Sequence, residues 1–164
     1  NKRFDGFRLR SAPLYDNFFK SLGASPLRMP APAVYTALER KTVDGLGWPL
    51  WGVSDGSWDK FLKYRHGPGY FSAILNTLMN KKKWDSLSAA QRNCIHGSAT
   101  SFEVAWPSKV QAQDKKEAAR QKKNGVKYVD MGSDFSATAT RYYWEEMTSY
   151  NPSWIGKIKP LITQ

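Results

Sequence analysis

The feature that most constrains the fold is the alternation of two periodicities over the first 46 residues. Residues 7–12, Phe-Arg-Leu-Arg-Ser-Ala, alternate apolar and polar with period two until Pro13 stops the run, as a short strand does. Leu14, Phe18 and Leu22 then recur every four residues along one helical face, and Gly23 supplies the left-handed stop. A second extended piece, 25–29, runs into Pro30. Pro32 stands in the first turn of the next helix, which carries Val34, Tyr35, Leu38 and Glu39, because its missing N–H would be unpaired there in any case. Residues 42–46 form a third strand. Strand, helix, strand, helix, strand with short links predicts an α/β fold, a parallel sheet covered by helices.

Beyond Leu46 the pattern predicts a helix over 48–64, with Trp58, Phe61 and Leu62 on its buried face. A turn at His66-Gly67-Pro68-Gly69 follows, and then a mostly apolar run, 70–79, suited to a buried central strand. Ser88-Ala-Ala-Gln91 is a capping box, in which hydroxyl and amide each satisfy a free N–H at a helix start. From it the longest element extends to Lys123, with Gln91, Ile95, Ala99, Phe102, Trp106 and Val110 as an apolar stripe, a bend expected at Pro107, and Asn124-Gly125 as its stop. Residues 126–131 read as a last strand. Ser133 then caps a helix anchored by Phe135, Tyr142 and Trp144, and Pro152 opens a final one with Trp154, Ile158 and Leu161.

Several classes of function are excluded or left without support. No apolar run approaches the roughly 20 residues of a membrane helix. A single cysteine, Cys94, rules out an internal disulfide and a Cys-based zinc cluster, and its position in the helical pattern fits an inert, buried small side chain. Residue 1 is Asn, with no signal-peptide pattern after it, so any export signal lies outside these residues and the compartment is not read from this end. His66 and His96 stand far apart and in no metal-binding spacing, and the chain contains no nucleophile elbow, Walker loop or dinucleotide fingerprint. Asp44-Gly-Leu-Gly47 continues into Trp48-Pro49 rather than a phosphate-cradling helix start. Neither catalysis nor a cofactor has a constellation to rest on.

Binding chemistry remains. The net charge of +11 favours an anionic partner, whether nucleic acid, a membrane surface or an acidic small molecule, and its sign does not choose among them. Much of the excess, Lys81-Lys82-Lys83 and the lysines from Lys109 to Lys127, reads as a solvated turn and helix face. A guanidinium near the end of a parallel strand, beside aromatic rings on neighbouring loops, can hold a small carboxylate through two parallel charge-assisted bonds; Arg10 and Trp48 are so placed. Taken alone, Arg10 would more often be a solvated strand residue.

The ordered segments Gly6-Phe-Arg-Leu-Arg10, Leu22-Gly-Ala-Ser-Pro26, Met29 to Glu39, Val43-Asp-Gly45 and Trp48-Pro49 resemble the central signature of the DctP-type solute-binding family of tripartite ATP-independent periplasmic (TRAP) transporters. The resemblance continues through Lys63-Tyr64, Pro68-Gly-Tyr-Phe71, Leu78-Met-Asn80, Trp84 to Ser88 and Gln91-Arg92 to the Trp-rich end, so it covers essentially the whole chain. Each string is weak alone; their order and spacing make chance improbable.

The resemblance implies a periplasmic-binding-protein-like fold with one long helix crossing between two lobes, the chain being the C-terminal half and the first lobe incomplete. Residues 1–72 would belong to the second lobe, 73–112 would return into the first, and 113–164 would carry the end of the long helix and the C-terminal second-lobe segment. Arg10 inherits the pairing with a ligand carboxylate. Trp48 stands where a ligand-facing Asn is frequent, Tyr70 and Phe71 fall near the cleft, and Ala31 leaves room for a bulkier ligand. Oxo-acid-binding relatives place a metal-binding Glu before such a Trp; this chain has Gly47, so no metal is expected. The implied protein is periplasmic and not an enzyme. It captures an organic acid anion and passes it to membrane permease subunits, with no nucleic-acid partner. The alternative from the charge and seven tryptophans is a basic nucleic-acid-binding protein, and a third is a partner-docking fragment that holds no ligand.

Overall fold

A computed structural model of the protein describes residues 2–71 and 76–162. Strand β1 (Arg8–Ser11) leads through a 3-10 turn, Pro13–Tyr15, into helix α1 (Asp16–Ser21). Gly23, at φ +86°, turns the chain into β2 (Ser25–Arg28), and a second 3-10 turn containing Pro32 opens α2 (Val34–Glu39) before the short β3 (Gly45–Leu46). The three strands form a parallel sheet in the order β2-β1-β3, with Arg10 opposite Leu27 on one side and Leu46 on the other. The α/β alternation of the first 46 residues is therefore realised element by element; the third strand is shorter than 42–46.

Two apolar clusters hold this unit. Phe18, Phe19 and Ala24 pack with Met131, Phe135 and Ala139, and Leu9 of the central strand joins them. Val34, Ala37, Leu38 and Val43 pack with Val53 and Trp58, joined by Met29, Ala31, Leu46 and Trp48. Leu9 and Arg10 diverge because successive side chains on a strand leave opposite faces.

Residues 48–64 are not a helix. They form turns with one 3-10 segment, Trp58–Lys60. Gly52 at φ +85° and Ser57 at φ +55° occupy the left-handed region, which interrupts any α-helical run, and Pro49 lacks a donor. Trp58, Phe61 and Leu62 still face the second cluster, so their spacing reported burial rather than helicity. Residues 64–67, expected at the start of a turn, form strand β4 (Tyr64–Gly67), which pairs in parallel with β5 (Lys127–Asp130) as a separate two-stranded sheet. Pairing with a strand some 60 residues away leaves no local signal. The expected central strand over 70–79 is not found where it can be judged. Residues 72–75 lie outside the described residues, Tyr70, Phe71 and 76–79 have no strand pairing, and Leu78 is 88% exposed.

After a short α3 (Lys81–Asp85), capped by Asn80, comes α4 (Ala89–Lys123). Its capping box forms as read: Gln91 N–H donates to Ser88 Oγ at 3.2 Å, and Ser88 N–H donates to Gln91 Oε1 at 2.9 Å. The helix continues through Pro107 to Asn124, and Gly125 at φ +89° ends it. At 35 residues it is about 50 Å long.

Its C-terminal half docks on the turns around residues 50–59, through the Trp51–Trp106 ring contact at 5.4 Å and then through polar groups. Trp51 Nε1 donates to Asp114 at 2.6 Å, Arg120 to Asp55 at 2.8 Å and to the Ser54 carbonyl at 3.0 Å, and Asn124 to Asp59 at 2.6 Å. Glu117 and Gln121 lie buried between them: Glu117 Oε1 accepts from Ser54 N–H and from Gln121 Nε2, which also donates to the Leu50 carbonyl. Residues 114, 117, 121 and 124 recur at three- and four-residue steps, the spacing of one helical face. Toward the N-terminus Ile95, Phe102 and Val104 are exposed, and Cys94, expected to be buried, is exposed too. Of the expected apolar stripe, Trp106 packs edge-to-face on Trp51 at 5.4 Å and Val110 is half-buried, while Ile95 and Phe102 are left exposed.

Helices α5 (Ser133–Tyr150) and α6 (Pro152–Ile162) complete the chain. Gly132, not Ser133, is the N-cap of α5; Phe135 is buried in the first cluster, while Tyr142 and Trp144 are half-buried. No helix among the described residues is long and apolar enough to cross a membrane.

Candidate functional site

Arg8 and Arg10 leave β1 with the same parity and meet opposite fates. Arg8 is exposed and neutralised: Nε donates to Asp44 Oδ2 at 3.0 Å and Nη2 to Asp44 Oδ1 at 2.9 Å. The guanidinium holds the Asp44 carboxyl below the usual carboxylate range. Arg10 is only 8% exposed and forms no ion pair among the described residues. Its guanidinium is tied to backbone instead, with Nε and Nη2 donating to the Met29 carbonyl at 3.2 and 3.1 Å and Nη1 to the Gly47 carbonyl at 3.1 Å. The Trp48 ring stacks against it, 4.6 Å from centroid to guanidinium carbon.

Arithmetic on donors shows what this leaves. Arginine has five N–H groups. Three are engaged, one each on Nε, Nη1 and Nη2, so one N–H remains on each terminal nitrogen. A pair of N–H groups in that fork matches the two oxygens of a carboxylate. Burial lowers the pKa of Arg10 from its ordinary value, since the cation has lost water without gaining an anion, yet it stays fully charged at neutral pH. The strand ends, the β3 turn and the entry to α2 thus hold an oriented cation with no counter-ion among the described residues.

Around it stand the other residues singled out from the sequence. Trp48 meets Trp58 edge-to-face at 4.9 Å, which fixes the ring over Arg10. Ala31, in the turn opening α2, is half-buried against the second cluster beside Met29 and Trp48. Tyr70 packs into the first cluster, 4.9 Å from Phe18 and 6.0 Å from Phe135, and burial pushes its phenol well above the usual tyrosine value. Phe71 is partly exposed, between Tyr15 at 6.3 Å and Tyr143 at 5.6 Å. Arg10, Trp48 and Ala31 are brought together, whereas the Tyr70 ring is committed to the core.

Sequence reading missed three participants. The Met29 and Gly47 carbonyls act through backbone, which no side-chain pattern reports. Tyr15, at the start of α1, joins the Arg10 side to Phe71. It lies 5.9 Å from Phe19 and 6.2 Å from Tyr70, and interacts electrostatically with Arg10. Its position five residues after Arg10, at the helix start facing the strand ends, was the available signal.

A metal ligand at position 47 does not fit. A Cβ on Gly47 would sit 2.7 Å from Phe19 Cζ and 2.8 Å from Tyr15 Cδ2, so this packing has no room for a glutamate. Among the described residues no group of three or more His, Cys, Asp or Glu side chains could hold a metal ion. An open groove of about 670 Å³ lies elsewhere, between the end of α4 and β5, lined by Arg65, Lys122, Lys127 and Tyr128. Arg10 is not part of it.

The sequence profile of bacterial extracellular solute-binding protein, family 7 (DctP), matches residues 2–159. The chain belongs to this family. As a family 7 protein it is 34% identical over 95 residues to the 2,3-diketo-L-gulonate-binding periplasmic protein YiaO of Escherichia coli, a match covering 56% of the chain and 28% of that protein. Among solved structures of TRAP periplasmic solute-binding proteins it is similar to one from Pseudomonas putida with bound D-glucuronate, at TM-score 0.73 and 16% identity, covering 94% of the chain and 51% of that structure. It is also similar to one from Haemophilus influenzae with bound L-gulonate, at TM-score 0.71 and 19% identity, covering 98% and 54%. These likenesses establish a periplasmic-binding-protein-like fold. The chain spans about half the length of the solved structures it matches.

Proposed function

We propose that this family 7 chain carries the carboxylate-holding half of a TRAP transporter's solute-binding component, which captures an organic acid anion in the periplasm and delivers it to membrane permease subunits. The observation carrying this reading is Arg10: a buried cation held by two carbonyls that, among the described residues, has no carboxylate partner and one unengaged N–H on each terminal nitrogen. Burying an uncompensated charge costs several kcal/mol, a cost that an incoming anion offsets. Similar proteins described with 2,3-diketo-L-gulonate, D-glucuronate and L-gulonate support an acid as the ligand.

The site's content, an anion-binding fork beside aromatic rings, supports capture rather than catalysis. Trp48, Ala31 and Phe71 would exclude water around the bound acid. Residues 1–72 would form the second-lobe wall of the cleft, 73–112 would pass into the other lobe with the first part of α4, and 113–164 would return. Closure of the lobes over the ligand would be favoured only by contacts made in the closed state.

The test is titration calorimetry of the full-length protein with D-glucuronate, L-gulonate and a panel of unsubstituted carboxylates. Binding of at least one acid is expected, with Arg10→Ala weakening it by about 2–3 kcal/mol, the scale of hydrogen bonds to a charged group. Equal affinity in wild type and variant would refute the role of Arg10.

A further inference from the structure

The Tyr15 ring is fixed on several sides. Phe19, Tyr70 and Phe71 meet it at 5.9, 6.2 and 6.3 Å, and Gly47 lies close enough to its Cδ2 edge that a Cβ there would come to 2.8 Å. Gly47 is also the residue whose carbonyl orients Arg10 Nη1, so ring and guanidinium are referenced to the same piece of backbone. The phenol oxygen has no hydrogen-bond partner among the described residues and is not sealed from solvent. Burial raises the phenol pKa and Arg10 pulls it partway back, so near neutral pH the group is a neutral hydroxyl that can both donate and accept.

A hydroxyl without a hydrogen-bond partner among the described residues, on a ring packed against the same Gly47 whose carbonyl holds Arg10, is available to a ligand that Arg10 holds. From this geometry we infer that Tyr15 is a specificity-determining residue, its hydroxyl hydrogen-bonding an oxygen substituent next to the carboxylate held by Arg10, so that the site takes 2-hydroxy acids in preference to their 2-deoxy counterparts. The inference rests on the carboxylate-capture reading. A site built around a hydroxyl leaves that group unpaired when the ligand lacks its partner, which is the physical origin of the preference.

The experiment measures binding of D-gluconate and 2-deoxy-D-gluconate to the full-length protein and to Tyr15→Phe, which keeps the ring and its packing. Wild type should prefer gluconate by roughly five- to tenfold, the ratio expected of one net hydrogen bond, and Tyr15→Phe should bring the two affinities together by weakening gluconate alone. Unchanged discrimination in the variant, at an unchanged melting temperature, overturns the role of Tyr15 and leaves the carboxylate reading standing. Loss of both ligands in a variant that melts early is resolved by Tyr15→His, whose ring nitrogen offers another polar group at that edge: discrimination regained supports the inference, and none regained rejects it. A wild type that binds neither gluconate but binds an unsubstituted carboxylate through Arg10 rejects the hydroxy-acid class, and one that binds no carboxylate at all rejects both readings.

Discussion

The guanidinium carbon of Arg10 lies 4.6 Å from the centroid of the Trp48 ring, and Trp48 in turn meets Trp58 edge-to-face at 4.9 Å. This chain of contacts connects the end of β1 to the turn-rich stretch after β3, so the orientation of the fork depends on a ring nearly 40 residues away in sequence. A desolvated cation–π contact is worth about 2 kcal/mol. Trp48→Ala should therefore lower stability by about 2 kcal/mol in denaturant titration and weaken acid binding, whereas Trp48→Phe should retain most of both. Equal stability of Trp48→Ala and wild type would show that the three carbonyl bonds alone hold Arg10.

Position 47 tolerates nothing larger than hydrogen. In Gly47→Ala the new Cβ would overlap ring atoms of Phe19 and Tyr15, both already packed, and overpacking of this kind costs roughly 1–3 kcal/mol. The variant should melt earlier. It should also bind acids less well, because the Gly47 carbonyl would shift away from Arg10 Nη1.

Glu117→Ala tests the docking of α4. It leaves the Ser54 N–H and one N–H of Gln121 Nε2 unsatisfied in a buried place, for an expected loss of about 1–3 kcal/mol. A loss below about 0.5 kcal/mol would place the attachment of α4 in the flanking pairs Trp51–Asp114 and Asn124–Asp59 instead.

His66 makes stability depend on pH in a definite direction. One face of its imidazole meets the Phe4 ring at 5.0 Å, and partial burial holds its pKa below the ordinary 6.5. The unfolded chain therefore takes up this proton first as pH falls. The stability it contributes is fully present above about pH 6.5 and is lost as pH drops through the lower folded value. Between pH 7.5 and 5 the melting temperature should fall more in wild type than in His66→Gln, which has no proton to take up; matching slopes would exclude His66 as the source.

How much was readable in advance follows from the range of the interactions. The sheet around Arg10 was legible because its strands, turns and helices are specified by neighbours in sequence: Pro13 and Gly23 as stops, Pro32 at a helix entry, and the Leu9–Arg10 alternation that sends one side chain to the first cluster and the next to the Met29 and Gly47 carbonyls. The capping box at Ser88 and the stop at Asn124-Gly125 fixed both ends of the long helix for the same reason. The stretch 48–64 was misread because burial of Trp58, Phe61 and Leu62 mimicked helical spacing, while the left-handed conformations at Gly52 and Ser57 are set by the fold.

By itself the sequence determined the local elements of the first 46 residues, the ends of the long helix, the family signature and Arg10 as the candidate ligand for an acid, since each depends on residue type and short spacing. Tertiary structure alone decided that β4 pairs with β5, that Arg10 is held by the carbonyls of Met29 and Gly47 while Arg8 is spent on Asp44, and that the Tyr15 ring packs between Phe19, Phe71 and Gly47. Those outcomes rest on contacts between groups far apart in the chain and on backbone oxygens that every residue possesses, so nothing in the order of side chains announces them.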